Sequence, residues 1–236
     1  MVAFSGAVSL GFRHLETDIR LTSDGVLVCH HDPTVDRTTG GSGPVAAFSF
    51  AQLSSLDAGY RHVGPGGHPF RGRGVRVPAL EEALLTFPEV SFVVDLKTDS
   101  LIEPLHRLIE GLGLHDRLIV GSFSDRRLEE FRVVSRGRVA TSTGAASSRS
   151  WLVASRIGRG VRSEARALQL PVRSRGVRVV DRRLVGAAHA RGLQVHVWTV
   201  NNPSEMADLL DLGVDGIITD RPDLLKEVLV GRGEWL

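Results

Sequence analysis

Short apolar runs alternate along the chain with stretches whose apolar residues recur at helical spacing. Runs at 14–21, 26–31, 90–97, 117–122, 138–142, 167–172, 193–200 and 214–219 read as strands. Between them, 80–87, 101–112, 124–135, 182–191, 203–212 and 222–230 read as helices, and Gly113, Gly192 and Gly213 stand where helix C-caps belong. Such alternation is that of βα units on a parallel sheet. Over 236 residues it suits an α/β protein of the (β/α)8 barrel type, with its site at the C-terminal strand ends. A doubly wound open sheet is the other candidate, but no G-x-G-x-x-G follows a strand as dinucleotide binding requires. Residues 33–78 break the rhythm with Gly, Pro, Ser and Thr and read as an insertion of loops and short elements. Phe4, Ala7, Val8 and Gly11 have helical spacing from the outset with no strand before them. A barrel built from this sequence is therefore expected to lack its first strand.

The chain is 42% hydrophobic and 24% charged, the balance of a soluble globular protein. No run approaches the roughly 20 apolar residues of a membrane span. The opening MVAFSGAVSLGF has neither the basic region nor the cleavage site of an export signal, so a cytoplasmic location is expected. Cys29 is the single cysteine, which excludes an internal disulfide. Net charge is only +2, yet it is uneven: residues 126–191 carry 16 arginines against 4 acids. Such a block is either a solvated helical face or an attractor of anionic lipid or nucleic acid. No aromatics interleave with the arginines as single-strand binding wants, so neither a nucleic-acid partner nor a stable membrane anchor is expected.

Candidate chemistry sits at strand ends. In HLETDIRL, alternation puts Glu16 and Asp18 on one face and Leu15, Thr17 and Ile19 on the other. Two carboxylates on one face call for a cation, a base or solvent. In SFVVDLK, Asp95 and Lys97 share a face, either as a structural ion pair or as part of the same site. Three carboxylates converging at strand ends make a hard oxygen site that suits Mg2+ or Ca2+ rather than zinc. Lys97 is one of two lysines in a chain that otherwise uses arginine, and a compact ammonium suits point contact with one phosphate oxygen. After the Asp24-Gly25 turn, VLVCHHD ends in His30, His31 and Asp32, where a histidine can pass a proton at neutral pH. Trp198 on a late strand walls a cleft or packs in the core.

Together these residues resemble the glycerophosphodiester phosphodiesterase family. HLETDIRLTSDGVLVCHHDPTVDRTTGGSG looks like that family's E-x-D, D-G, H-D and R-T-T signature, and LSSLDAG, VPALEEAL, FVVDLK, VHVWTVN and GVDGIITDRP follow in order. The resemblance implies one barrel domain over 1–236 with residues 33–78 as an inserted small subdomain. It also implies hydrolysis of a small glycerophosphodiester to glycerol 3-phosphate and an alcohol with one divalent cation. Glu16 and Asp18 match metal ligands of the family, Asp95 matches the third where Glu is common, and His31 matches one of two catalytic histidines. Lys97 matches a phosphate-contacting lysine and Trp198 a pocket-lining tryptophan. The family's opening H-R-G strand and P-E-N-T loop, which carry the other histidine, have no counterpart in this sequence. A chain started short of its full length is the simplest expectation. A catalytically impaired or non-catalytic barrel and a lysophospholipase D-type enzyme are the alternatives, and the oligomeric state stays open.

Overall fold

The computed structural model of the protein describes residues 1–64, 66–158, 161–174 and 176–235; Arg159 and Arg175 of the arginine-rich block lie outside them. Ten strands are present: β1 (His14–Leu21), β2 (Leu27–Cys29), β3 (Ser91–Leu96), β4 (Leu118–Gly121), β5 (Ala140–Thr141), β6 (Ala167–Pro171), β7 (Arg173–Ser174), β8 (Val177–Arg178), β9 (Gln194–Trp198) and β10 (Gly216–Ile217). The helices are α1 (Val2–Ser9), α2 (Phe50–Ser54), α3 (Leu80–Thr86), α4 (Ile102–Leu112), α5 (Asp125–Val134), α6 (Ala145–Arg156), α7 (Arg182–His189), α8 (Pro203–Leu212) and α9 (Pro222–Arg232).

The sheet is mixed. β1, β3, β4 and β5 pair in parallel, β2 folds back antiparallel on the end of β1, and β6, β9 and β10 form a second parallel set. A parallel bridge between Ser142 and Ala167 continues β5 into β6. Seven parallel strands thus follow one another in the order β1, β3, β4, β5, β6, β9, β10. Among the described residues no strand joins β10 to β1, so closure into a barrel is not seen.

Side-chain alternation assigns each strand two faces. On β3, Phe92, Val94 and Leu96 are buried with the stripe Leu101, Leu105 and Ile109 around α4, while Val93 and Asp95 face the opposite side. On β9, Val195 and Val197 join a second core with Leu184, Met206 and Leu209, leaving His196 and Trp198 on the far side. Helix ends follow their capping chemistry. Asn202 accepts from the amides of Ser204 and Glu205 ahead of Pro203, and Gly213 closes α8 at φ 87°, where a side chain would be strained. α1, which has the helical spacing of Phe4, Ala7 and Val8, packs Phe4 edge-on against Phe92. At its far end Lys226 Nζ on α9 donates to Leu10 O at 2.8 Å, which ties the first helix to the last.

Several elements differ from the pattern expected of the sequence: the runs expected over 138–142 and 214–219 shorten to β5 and β10, and the β7–β8 hairpin stands where no strands are expected. Residues 145–156 form helix α6, whose serine-rich AASSRSWLVASR hides its one anchor, the fully buried Trp151. The run expected over 26–31 is shortened to β2, although His30 N still donates to Asp18 O at 2.9 Å while its imidazole meets Asp32 O and Thr38. Residues 33–78 hold a short 3-10 turn and α2, and Val35, Val45, Leu53 and Val77 gather with Val28 into a small third core. No helix among the described residues is long and apolar enough to cross a membrane.

Candidate active site

A cleft of about 2530 Å3 runs along the inner face of the strands and is lined by Glu16, Asp18, His31, Asp95, Lys97 and Trp198. All six residues singled out in the sequence therefore share one cavity. Glu16 and Asp18 come from β1, and parallel register sets Asp18 beside Asp95 of β3. Lys97, just beyond β3, places Nζ 2.6 Å from both Asp18 Oδ1 and Asp95 Oδ2. Burial works against its charge, yet the two carboxylates outweigh it and raise the lysine above its ordinary pKa. Asp95 Oδ2, buried, is therefore paired with the Lys97 ammonium. Glu16 is pushed up to about 8, first by burial and then by the charges of Asp18 and Asp95.

The carbonyl just before Lys97 is clamped. Leu96 O accepts from Ser122 Oγ at 2.9 Å and from Arg127 Nη1 at 2.8 Å, and Arg127 Nε donates to Asp99 at 2.8 Å. Gly121 leaves the carboxylate its room: a Cβ there would lie 3.2 Å from Asp95 Oδ1 and 2.9 Å from Gln169 Oε1.

His31 sits at the exposed edge of the cleft with its side chain 64% accessible. Arg20 fixes its backbone by donating to His31 O from Nε and Nη2. His31 Nδ1 lies 2.6 Å from Asp32 Oδ1, while Asp32 Oδ2 accepts from Arg37 Nε at 2.5 Å. The Arg37 hydrogen bond, and then His31, hold Asp32 down at about 2. An ionised Asp32 can only accept, so Nδ1 carries a proton and Nε2 is the nitrogen left for chemistry. His30, by contrast, is buried with Nδ1 on Asp32 O and Nε2 on Thr38, and burial lowers its pKa. Trp198 packs edge-on against Phe123, 5.6 Å between centroids, and Lys97 Nζ lies 5.8 Å from the Phe123 ring. Asn201 ties the ends of β9 and β10 together, accepting from the amide of Asp220 and donating to its carboxylate.

Sequence reasoning missed several of these partners. Phe123, 60% exposed, and Asp220, whose charge reaches Glu16, come from other strand ends. Arg37 and Asp32 lie in the R-T-T and H-D motifs, which were the available signal.

The donor set is all oxygen, as a hard divalent cation requires. The raised pKa of Glu16 is a defect that further positive charge would relieve. As the side chains stand, Lys97 occupies the position between Asp18 and Asp95, and no group of three or more His, Cys, Asp or Glu among the described residues is gathered as a metal site.

Comparison with known proteins decides the relationship: the model of the glycerophosphoryl diester phosphodiesterase family matches residues 1–224. The chain belongs to this family. It is 39% identical, over its whole length and 86% of the relative, to a Mycobacterium tuberculosis protein named probable glycerophosphodiester phosphodiesterase 2. It is also 31% identical to the glycerophosphodiester phosphodiesterase of Caldanaerobacter subterraneus, over 99% of this chain and 92% of that one. A lysophospholipase D of Rattus norvegicus is 24% identical, over 97% and 81%. Among solved structures, the glycerophosphoryl diester phosphodiesterase domain of another M. tuberculosis protein superposes with a TM-score of 0.83 at 20% identity, covering 96% of this chain and 91% of that one. An Oleispira antarctica phosphodiesterase, solved with its product sn-glycerol-3-phosphate, superposes with a TM-score of 0.75 at 22% identity, over 97% and 89%. These phosphodiesterase structures share the fold of this chain across nearly all of it.

Proposed function

We propose that the protein hydrolyses a glycerophosphodiester to glycerol 3-phosphate and an alcohol. The observation that carries this is the Lys97 ammonium seated between Asp18 and Asp95 in a cleft that also presents His31 and Trp198. Family membership supports the reaction class.

Around Lys97 and Glu16 the carboxylates of Asp18, Asp95 and Asp220 outnumber the one ammonium, so this end of the cleft alone would repel a phosphodiester anion. Glu16, Asp18 and Asp95 are the residues that would hold a divalent cation, Mg2+ or Ca2+, which when bound supplies positive charge and Lewis-acid polarisation of the phosphoryl group. Lys97 offsets charge at one phosphoryl oxygen as a point contact. Net hydrolysis consumes one water: the P–O bond to the alcohol breaks, a new P–O bond forms to the attacking hydroxyl oxygen, and a proton ends on the leaving alcohol. His31 Nε2 takes the proton from the attacking oxygen or gives one to the leaving oxygen. Asp32 stabilises the imidazolium that this transfer creates, and Arg37 keeps Asp32 ionised. Trp198 and Phe123 wall the substrate.

The seven parallel strands fit a (β/α)8 ring whose remaining position lies between β10 and β1. Residues 33–78 are read as a small inserted subdomain, supported by their own core around Val35 and Leu53. His31→Ala tests the proton-transfer role: kcat for glycerol 3-phosphate release is expected to fall about 10²–10⁴-fold with KM little changed. An unchanged kcat would remove His31 from the mechanism.

A further inference from the structure

We propose that the β7–β8 hairpin and the start of α7 form a docking surface for an anionic lipid bilayer. Register places Arg173 directly opposite Arg178 and Ser174 opposite Val177, and all four residues are exposed. Like charges directly across a hairpin repel. Among the described residues no carboxylate lies within ion-pair distance of either arginine, so no described acid offsets the pair. The hairpin is instead held from its base, where Val179 N donates to Val172 O at 2.9 Å and Val172, Val179 and Val180 enter the core. The fold thus presents two guanidinium groups outward at fixed spacing, an arrangement that an external layer of phosphates relieves.

The neighbouring surface continues the pattern. Arg182 and Arg183 open α7 and line a shallow depression with Arg156. The one acid there, Asp181, is committed to capping α7 through the amide of Leu184 and lies 3.8 Å from Arg156. Val177 is 61% exposed between the arginines, an aliphatic contact for the acyl boundary, and no aromatic side chain is present in 172–183 to stack on a nucleic-acid base. Ser174 lines the same cleft as Lys97 and His31, so docking here would hold part of the cleft wall beside the lipid. The proposal does not rest on the reaction assigned above, because binding is read without turnover.

Co-sedimentation with vesicles of phosphatidylcholine alone and of phosphatidylcholine mixed with phosphatidylglycerol tests it. The protein is expected to bind only the anionic vesicles and to be released as salt rises. Neutralising both charges, as R173Q/R178Q, should lower the partition coefficient about 30-fold, at about fivefold per arginine, with turnover of soluble glycerophosphocholine unchanged. If circular dichroism shows that double variant unfolded, Val177→Asp probes the same surface and should also lose anionic-vesicle binding. Equal binding by wild type and variants, or no binding of wild type to anionic vesicles, overturns the proposal. Duplex DNA retained through the same arginine pair in the absence of vesicle binding overturns it as well.

Discussion

Replacing Glu16 by Gln is expected to stabilise the cation-free protein at neutral and alkaline pH, although it removes a residue of the site. In the folded protein burial and the charges of Asp18 and Asp95 push Glu16 up from 4.5 to about 8. A carboxyl group whose pKa is raised on folding binds its proton more tightly when folded. It therefore opposes folding increasingly as pH climbs from the unfolded value to the folded one. Between those limits each pH unit costs about 1.4 kcal/mol, which amounts to about 3 kcal/mol at pH 7 and approaches 5 kcal/mol above pH 8. Against a domain stability of 5–15 kcal/mol this is a large fraction. Gln keeps the shape and does not titrate. Urea unfolding in EDTA, run from pH 4.5 to 8.5 on both proteins, isolates Glu16, since the other groups titrate in both. The stabilities should coincide near pH 4.5 and separate by about 3 kcal/mol at pH 7 in favour of E16Q. Parallel curves across the range would refute the placement of Glu16 in a buried, carboxylate-rich site. Added Mg2+ or Ca2+ should flatten the wild-type curve, because a bound cation favours the ionised carboxylate.

Other consequences follow from the same geometry. Lys97→Arg should not rescue function: a planar guanidinium cannot reproduce one ammonium 2.6 Å from both Asp18 and Asp95, and kcat/KM for glycerophosphocholine is expected to fall at least tenfold. Near-wild-type kcat/KM would show that Lys97 is not a point contact. Ile109→Ala, in the fully buried stripe of α4, should cost about 2–5 kcal/mol by urea unfolding without changing KM. A loss below 1 kcal/mol would contradict the packing of α4 on β3.

Period-two alternation was enough to find the inward faces of β1 and β3, because each strand buries its other face under helices and leaves Glu16, Asp18 and Asp95 no outward option. Sequence also revealed α1 through Phe4, Ala7 and Val8, and revealed α4 and α8 with their glycine ends. It did not reveal α6, where one buried tryptophan among serines and arginines leaves too little apolar periodicity. The two-residue strands of the β7–β8 hairpin are set by backbone pairing above Val172 and Val179, not by pattern. Within the site, Phe123, Asp220 and Arg127 were illegible because they reach Lys97, Glu16 and Leu96 O only when separate strand ends are brought together. The H-D motif pointed to His31, but its orientation by Asp32 and Arg37 emerges only in three dimensions.

The central claim is that the carboxylates of β1 and β3 serve a cation-assisted phosphodiesterase. Glycerol 3-phosphate release from glycerophosphocholine, measured with Mg2+ or Ca2+ and with EDTA, for wild type and Glu16→Ala, tests it most directly. The account predicts turnover by wild type only when the cation is present and none by the variant. Turnover in EDTA, or a variant as active as wild type, would contradict it.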